Sequence, residues 1–117
     1  MKTLNLSIVF LVLALSLTKV MASPVWIPSP LTVQAVFTDD CGGSSGSSVT
    51  AFSLSSDSKQ YYFLDSAPSA KQWLSEIMLA LSTGLKVQIK YESQNSSPGS
   101  SCGFNPGYLV HVISISP

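Results

Sequence analysis

Residues 66–92 decide the fold and read SAPSAKQWLSEIMLALSTGLKVQIKYE. The first part predicts a helix, because apolar residues recur there at three- and four-residue spacing and share one face. That apolar face consists of Ala70, Trp73, Leu74, Ile77, Met78 and Leu81. We expect Ser66 or Ser69 to cap the helix start, since Ser69 and Gln72 have the spacing of a capping box. Gly84 supplies a residue that readily adopts the left-handed conformation with which many helices end.

A strand is predicted directly after this helix, because the apolar period changes from 3.6 to 2. Leu85, Val87, Ile89 and Tyr91 alternate with Lys86, Gln88, Lys90 and Glu92. The two sets therefore face opposite sides of the strand. One amphipathic helix packed against a small β structure is the arrangement that residues 66–92 favour.

Four other segments have the alternation or the composition of strands, namely residues 31–38, 49–54, 60–64 and 108–115. Residues 23–30 contain three prolines, which predict an extended lead-in without regular strand pairing. The predicted order of three strands, a helix and two strands is that of the OB-fold, a five-stranded Greek-key barrel. We therefore expect a mainly β single domain over residues 31–117, with one helix. A small open sheet with one helix would give the same order.

The N-terminal residues 1–22 have the features of a signal peptide. Lys2 precedes an almost wholly apolar run over residues 4–17, and Val20-Met21-Ala22 resembles a cleavage site. A secreted or periplasmic protein is predicted, with no membrane insertion after cleavage. An uncleaved membrane anchor is the alternative. Removal of this segment leaves about 95 residues, which is enough for one domain with a modest core.

The charge balance argues against a nucleic-acid partner. After residue 22 the chain has four lysines against six carboxylates, a formal charge of −2, and it contains no arginine. Nucleic-acid binding normally requires clustered Lys and Arg that replace phosphate counterions.

The two cysteines, Cys41 and Cys102, lie in separate loops rich in Ser and Gly, at residues 39–48 and 93–107. In a small exported domain such a pair is expected to form a disulfide, which would hold the two loops together. Two free thiols are the alternative.

Catalysis is not predicted. The only histidine, His111, lies within the last predicted strand between Val110 and Val112, where a hydrogen-bonded structural role is expected. The sequence has no nucleophile-elbow motif, no phosphate-binding glycine loop and no set of zinc ligands. We therefore expect no catalytic residues, no metal and no cofactor.

Residues 80–92, ALSTGLKVQIKYE, resemble the corresponding part of the secreted B subunits of bacterial AB5 toxins, of the subtilase-cytotoxin and typhoid-toxin type. In that family the helix ends in a Thr-Gly or Ser-Gly pair. Two residues later a strand begins with the pattern Val-x-Ile-x-Tyr. The resemblance implies a bacterial OB-fold protein that binds cell-surface glycans, forms rings of five and accompanies a separate exported catalytic subunit. It further implies that Tyr91 contributes to a sialoglycan pocket. Strict strand alternation would instead turn Tyr91 into the core.

Other candidate site residues follow from the residues themselves. Asp39 and Asp40, at a strand end, either accept backbone bonds in a turn or accept hydrogen bonds from ligand hydroxyls. Leu79 lies on the helix face opposite the apolar stripe, so it is a candidate contact between subunits. Trp26 is a second candidate, packing onto the fold or onto a neighbouring subunit.

The sequence thus favours an exported, non-catalytic binding module, toxin-B-subunit-like, that recognises a cell-surface glycan or glycoprotein. The alternative is a secreted structural or inhibitory domain that binds another protein and no sugar.

Overall fold

The computed structural model of the protein describes residues 23–43, 48–99, 102 and 106–116. In these ranges the chain forms six strands, one α-helix and a short 3-10 turn at Cys41–Gly43. The elements are β1 (Pro24–Trp26), β2 (Leu31–Asp39), β3 (Val49–Leu54), β4 (Gln60–Leu64), α1 (Ala70–Thr83), β5 (Lys86–Glu92) and β6 (Tyr108–Ser116). The predicted signal peptide, residues 1–22, lies outside the described residues.

Five of the strands form a closed ring. Strand β2 pairs with β3, β3 with β4, β4 with β6, β6 with β5, and β5 with β2 again. All of these pairs are antiparallel except β4 and β6, which run parallel with Tyr61 opposite Tyr108. The prediction of a mainly β protein with one helix is therefore confirmed for the described part of the chain.

Residues 23–30 are predicted to be an extended lead-in without regular strand pairing, and the absence of pairing is wrong for Pro24–Trp26, which form β1 and pair antiparallel with β5. The backbone N–H of Ile27 donates to the carbonyl of Ile89 at 3.0 Å, and Val25 lies opposite Tyr91. Successive N–H groups along a strand point to opposite edges, and the Ile27 N–H points to β5, so the missing N–H of Pro24 falls on the other edge of β1, where no strand of the described chain pairs. The described order is consequently four strands, a helix and two strands, rather than the predicted three, one and two.

The main core lies between the inner face of the ring and α1. It contains Phe52, Leu54, Tyr61, Phe63, Ile77, Ala80, Val87, Ile89, Val110 and Ile113. Trp73 packs against this core, with its ring edge-to-face to Phe63 at 5.4 Å between centroids. The helix therefore covers the ring as a lid, which is the position that its apolar face predicts.

The buried face of α1 is narrower than predicted. Ala70, Ile77 and Ala80 are buried, whereas Leu74, Met78 and Leu81 are 36%, 48% and 38% exposed. Because Ala80 is small, the helix can approach the ring along the Ile77–Ala80 side. That orientation turns the other edge of the predicted apolar stripe toward solvent.

The two ends of α1 differ in how well the sequence predicts them. Ser69 makes no side-chain capping bond, and the Gln72 amide donates instead to Glu76 Oε1 at 3.1 Å, so the predicted capping box is wrong. Gly84 ends the helix as predicted, with φ of 75° and its N–H donating to the Ala80 carbonyl at 2.9 Å. Strand β5 begins at Lys86, one residue after the predicted start.

A second, smaller core covers the outer face of β3 and β4. Cys41, Val49, Ala51 and Tyr62 are buried there, with Leu64, Cys102 and Leu109 packed against them. The disulfide Cys41–Cys102 confirms the predicted pairing of the two loops. Strand β3 is therefore buried on both faces, which its sequence does not indicate.

The segment after β5 is held against this outer face by specific contacts. The Tyr62 hydroxyl and Ser96 Oγ form a hydrogen bond of 2.6 Å, and Ser96 exchanges two backbone bonds with Gly107. A Cβ at position 107 would lie 2.8 Å from the Gln60 carbonyl oxygen, so this close approach requires glycine.

Candidate functional site

Tyr91 lies in the core and not at the rim. Its side chain is only 8% exposed and makes edge-to-face contacts with Tyr61 at 5.2 Å and Tyr108 at 5.5 Å between ring centroids. The register between β5 and β6 does shift next to it, since Lys90 pairs with Val112 and Tyr91 with Val110. This irregularity leaves the inward alternation with Val87 and Ile89 intact.

A polar group closes one side of this tyrosine cluster. The buried Tyr61 hydroxyl donates to Asp57 Oδ2 at 2.5 Å. Lys59 Nζ lies 3.8 Å from Asp57 Oδ1 and 6.0 Å from the centre of the Tyr108 ring. Burial, and then the bond to the Asp57 carboxylate, raise the pKa of Tyr61 well above its ordinary value. Tyr61 is therefore a neutral structural donor at physiological pH.

Asp39 and Asp40 organise the turn that carries the disulfide. Asp39 Oδ1 accepts from the Cys41 N–H at 2.8 Å, and Asp40 Oδ1 accepts from the Gly42 N–H at 3.2 Å. Cys41 and Gly42 both have positive φ, 53° and 83°, so these bonds stabilise an unusual backbone. The sequence left two roles open for Asp39 and Asp40, backbone bonding in a turn and ligand binding. These hydrogen bonds match the role in a turn.

The structure does not bring Tyr91 together with Asp39 and Asp40. Asp39 pairs with Val49 at one end of β3, whereas Tyr61, which contacts Tyr91, pairs with Phe52. Three residues along a strand correspond to roughly 10 Å. The tyrosine also lies on the inner face of the ring, away from the turn.

Leu79 and Trp26, the candidate subunit contacts, are both on the surface. They are 47% and 48% exposed. The Lys90 ammonium lies 5.9 Å from the centre of the Trp26 ring, in the range of a cation–π contact. His111 is hydrogen-bonded as expected, with Nε2 2.7 Å from Glu92 Oε1.

A pocket at the start of α1 has no counterpart among the sequence predictions. Its volume is about 230 Å³, and it opens between the first turn of the helix, the end of β2 and the start of β3. Its lining residues are Thr38, Thr50, Asp65, Ala70, Lys71 and Leu74. These residues come from four segments of the chain, so no local pattern could have grouped them. Thr50, a polar residue in an otherwise apolar part of β3, was the one local signal.

The polar side of this pocket is built around Asp65. Thr50 is 1% exposed, and its hydroxyl donates to Asp65 Oδ1 at 2.9 Å. The Asp65 N–H donates to the Ser48 carbonyl at 3.0 Å, which fixes the backbone. The structure thus holds the carboxylate in place at the mouth of an accessible pocket.

In the described ranges, no three His, Cys, Asp or Glu side chains are close enough together to share a metal ion. Within the same ranges, no helix has the length and apolar character needed to cross a membrane.

No protein-family model matches this sequence, and a search of curated proteins gives no significant match. The resemblance to toxin B subunits therefore rests on the sequence of residues 80–92.

Proposed function

We propose that this protein is an exported, non-catalytic binding module of the OB-fold type that recognises a cell-surface glycan or glycoprotein. The closed ring is the observation that carries the proposal. Counting from β2, its strands neighbour one another in the order first, second, third, fifth, fourth, and the helix lies between the third and fourth. A five-stranded Greek-key ring with these neighbours and one helix supports an OB-fold.

Oligosaccharides and oligonucleotides are the usual ligands of OB-folds, which bind them with one sheet face and the adjoining loops. The charge balance favours the oligosaccharide, since the chain contains no arginine and its carboxylates outnumber its lysines after residue 22. The disulfide Cys41–Cys102 supports binding by a preorganised surface, because it ties together the two loops that flank the ligand face in such folds.

A ring of five copies and a separate exported catalytic subunit are further parts of the proposal. They rest on the resemblance of residues 80–92 to toxin B subunits. The exposure of Leu79 and Trp26 leaves both side chains accessible to a neighbouring copy.

A glycan array tests the proposal. Oxidised protein comprising residues 23–117 is applied to immobilised glycans, and its mass in solution is measured by sedimentation. We expect the protein to be an oligomer that binds a defined subset of glycans. Reduced and alkylated protein is the control that shows whether binding requires the folded, disulfide-bonded state. An array without binding would overturn glycan recognition.

The second candidate function is a secreted domain that binds another protein and no sugar. The exposed apolar side of α1 favours it, because Leu74, Met78 and Leu81 lie on one flank of the helix and Leu85 follows directly. Several exposed apolar side chains on one flank of a helix commonly mark an interaction site. A strictly monomeric protein that binds no glycan would favour this candidate over the first.

A further inference from the structure

We propose that the pocket at the start of α1 is a binding site for one sugar unit, held by Asp65 and Lys71. This inference rests on the proposed glycan recognition and gives it a location. At about 230 Å³ the pocket is smaller than the roughly 300–1,000 Å³ typical of sites for drug-sized ligands. A single pyranose is therefore a better occupant than an extended oligosaccharide, whose other units would lie outside.

Asp65 supplies the acceptor. Its Oδ1 accepts a hydrogen bond from the buried Thr50 hydroxyl, and no residue of the described chain forms a hydrogen bond with its Oδ2. An ionised carboxylate accepts strong hydrogen bonds from hydroxyl donors. Thr50 acts as a positioning residue, because it fixes the carboxylate that contacts the sugar.

Lys71 supplies the donor on the helix side of the pocket. In the described ranges the ion pairs are Lys59 with Asp57 and His111 with Glu92, so Lys71 and Asp65 do not neutralise each other. A sugar hydroxyl both donates and accepts, so it can interact with a carboxylate and an ammonium group in one site.

Leu74 and Ala70 supply the apolar wall. Leu74 belongs to the apolar stripe of the helix yet stays 36% exposed at the pocket. The C–H face of a pyranose can cover such a wall, which removes apolar surface from water.

The same residues disfavour simple ions. The Asp65 carboxylate offsets the attraction of Lys71 for a phosphate or sulfate, and the Lys71 ammonium offsets the attraction of Asp65 for a metal cation. An uncharged polyol meets neither penalty. The candidate sugar contacts named from the sequence are engaged in other interactions. The Asp39 and Asp40 carboxylates each accept a backbone hydrogen bond within the disulfide turn, and Tyr91 is buried among other tyrosines.

Nuclear magnetic resonance locates the site without a mutation. ¹⁵N-labelled oxidised protein is titrated with the methyl glycosides of galactose, glucose, mannose and the N-acetylhexosamines, and with the strongest ligand from the array. We expect amide shifts at Thr38, Thr50, Asp65, Ala70, Lys71 and Leu74. Shifts confined to the disulfide turn or to the surroundings of Tyr108 would overturn the pocket and leave glycan recognition standing. Absence of any shift, together with an array without binding, would overturn both.

Matched variants then test the two charges. We expect Lys71→Ala and Asp65→Asn each to weaken binding of the array ligand by about tenfold, as loss of a charge-assisted hydrogen bond does. Lys86→Ala and Glu76→Gln are the controls, because they remove a charge outside the pocket lining. Equal affinity of all four variants and the wild type would contradict the assignment. Lys71 is exposed on the helix, so its variant remains folded and keeps the test valid.

Discussion

Tyr61 shows how one residue can be fixed by its environment. Its ring is stacked on Phe52 at 5.5 Å and is contacted by Tyr91 and Tyr108, while its hydroxyl reaches Asp57. The ring contributes to the core, and the hydroxyl is satisfied by the turn between β3 and β4. Burying a tyrosine in this way is favourable only while the hydroxyl keeps both its proton and its acceptor.

Stability at high pH should depend on this proton. The pKa of Tyr61 is raised in the folded state by burial and by Asp57, so the folded protein retains a proton that the unfolded chain releases near pH 10. The contribution is fully present below about pH 10 and is lost as the pH rises above that value. We expect the free energy of unfolding, measured with urea, to fall above that pH. The fall should be smaller in Tyr61→Phe, and an identical slope in the two proteins would contradict the assignment.

Tyr91→Phe distinguishes a sugar contact from a core residue. Because the ring is buried and faces two other tyrosines, we expect the variant to bind the array ligand as the wild type does. Tyr91→Ala should destabilise the fold by about 3–5 kcal/mol, as large-to-small core changes do. Isothermal titration and urea unfolding measure the two effects. Weaker sugar binding by a fully stable Tyr91→Phe protein would return Tyr91 to the binding site.

At the scale of elements, α1 separates residues of one predicted stripe into two groups. Ile77 is fully buried, whereas Leu74 is partly open to solvent at the pocket. We expect Ile77→Ala to cost about 2–5 kcal/mol of unfolding free energy. Leu74→Ala should cost about 1 kcal/mol or less. Urea denaturation of both variants measures the difference. Equal losses of unfolding free energy would mean that Leu74 is buried like Ile77, as the apolar spacing of the helix predicts.

Local patterns predicted the strands and the helix well, because each depends on periodicity or composition within one segment. Residues 49–54 and 60–64 were predicted with the bounds of β3 and β4, and Gly84 marked the helix end correctly. Strand β1 could not be predicted from its prolines, because what matters is which edge the missing N–H of Pro24 faces. The width of the buried face of α1 could not be predicted either, because it depends on the shape of the ring against which the helix packs.

The pocket and the outer core were beyond local patterns for the same reason. Asp65 and Lys71 flank the loop into α1, but Thr38 and Thr50 reach them only through the pairing of β2 with β3. The burial of Ala51 on the outer face likewise depends on a segment that returns after β5. Of the predicted site residues, the disulfide pair alone was assigned a partner that the structure confirms.

At the scale of the whole molecule, the disulfide and the outer core stabilise the same face. The bond joins cysteines 61 residues apart, and the chain-entropy model gives roughly 4 kcal/mol for a loop of that size. Reduction should therefore lower the unfolding free energy by about 2–5 kcal/mol. Urea unfolding with and without a reductant measures this loss, and the double variant Cys41→Ala and Cys102→Ala should lose a similar amount without a reductant. A change below about 1 kcal/mol would show that the outer core holds the loops unaided.

The parallel pairing of β4 with β6 has a consequence for synthesis of the chain. Strand β6 pairs with both β4 and β5, so the ring cannot close until residues 108–116 have left the ribosome. Every shorter nascent chain has two strand edges with unsatisfied backbone groups, and such edges readily pair with other chains. Closure also joins segments far apart in sequence, which slows folding. The fold is therefore completed only when the whole of β6 is available, and until then its open strand edges are exposed to pairing with other chains.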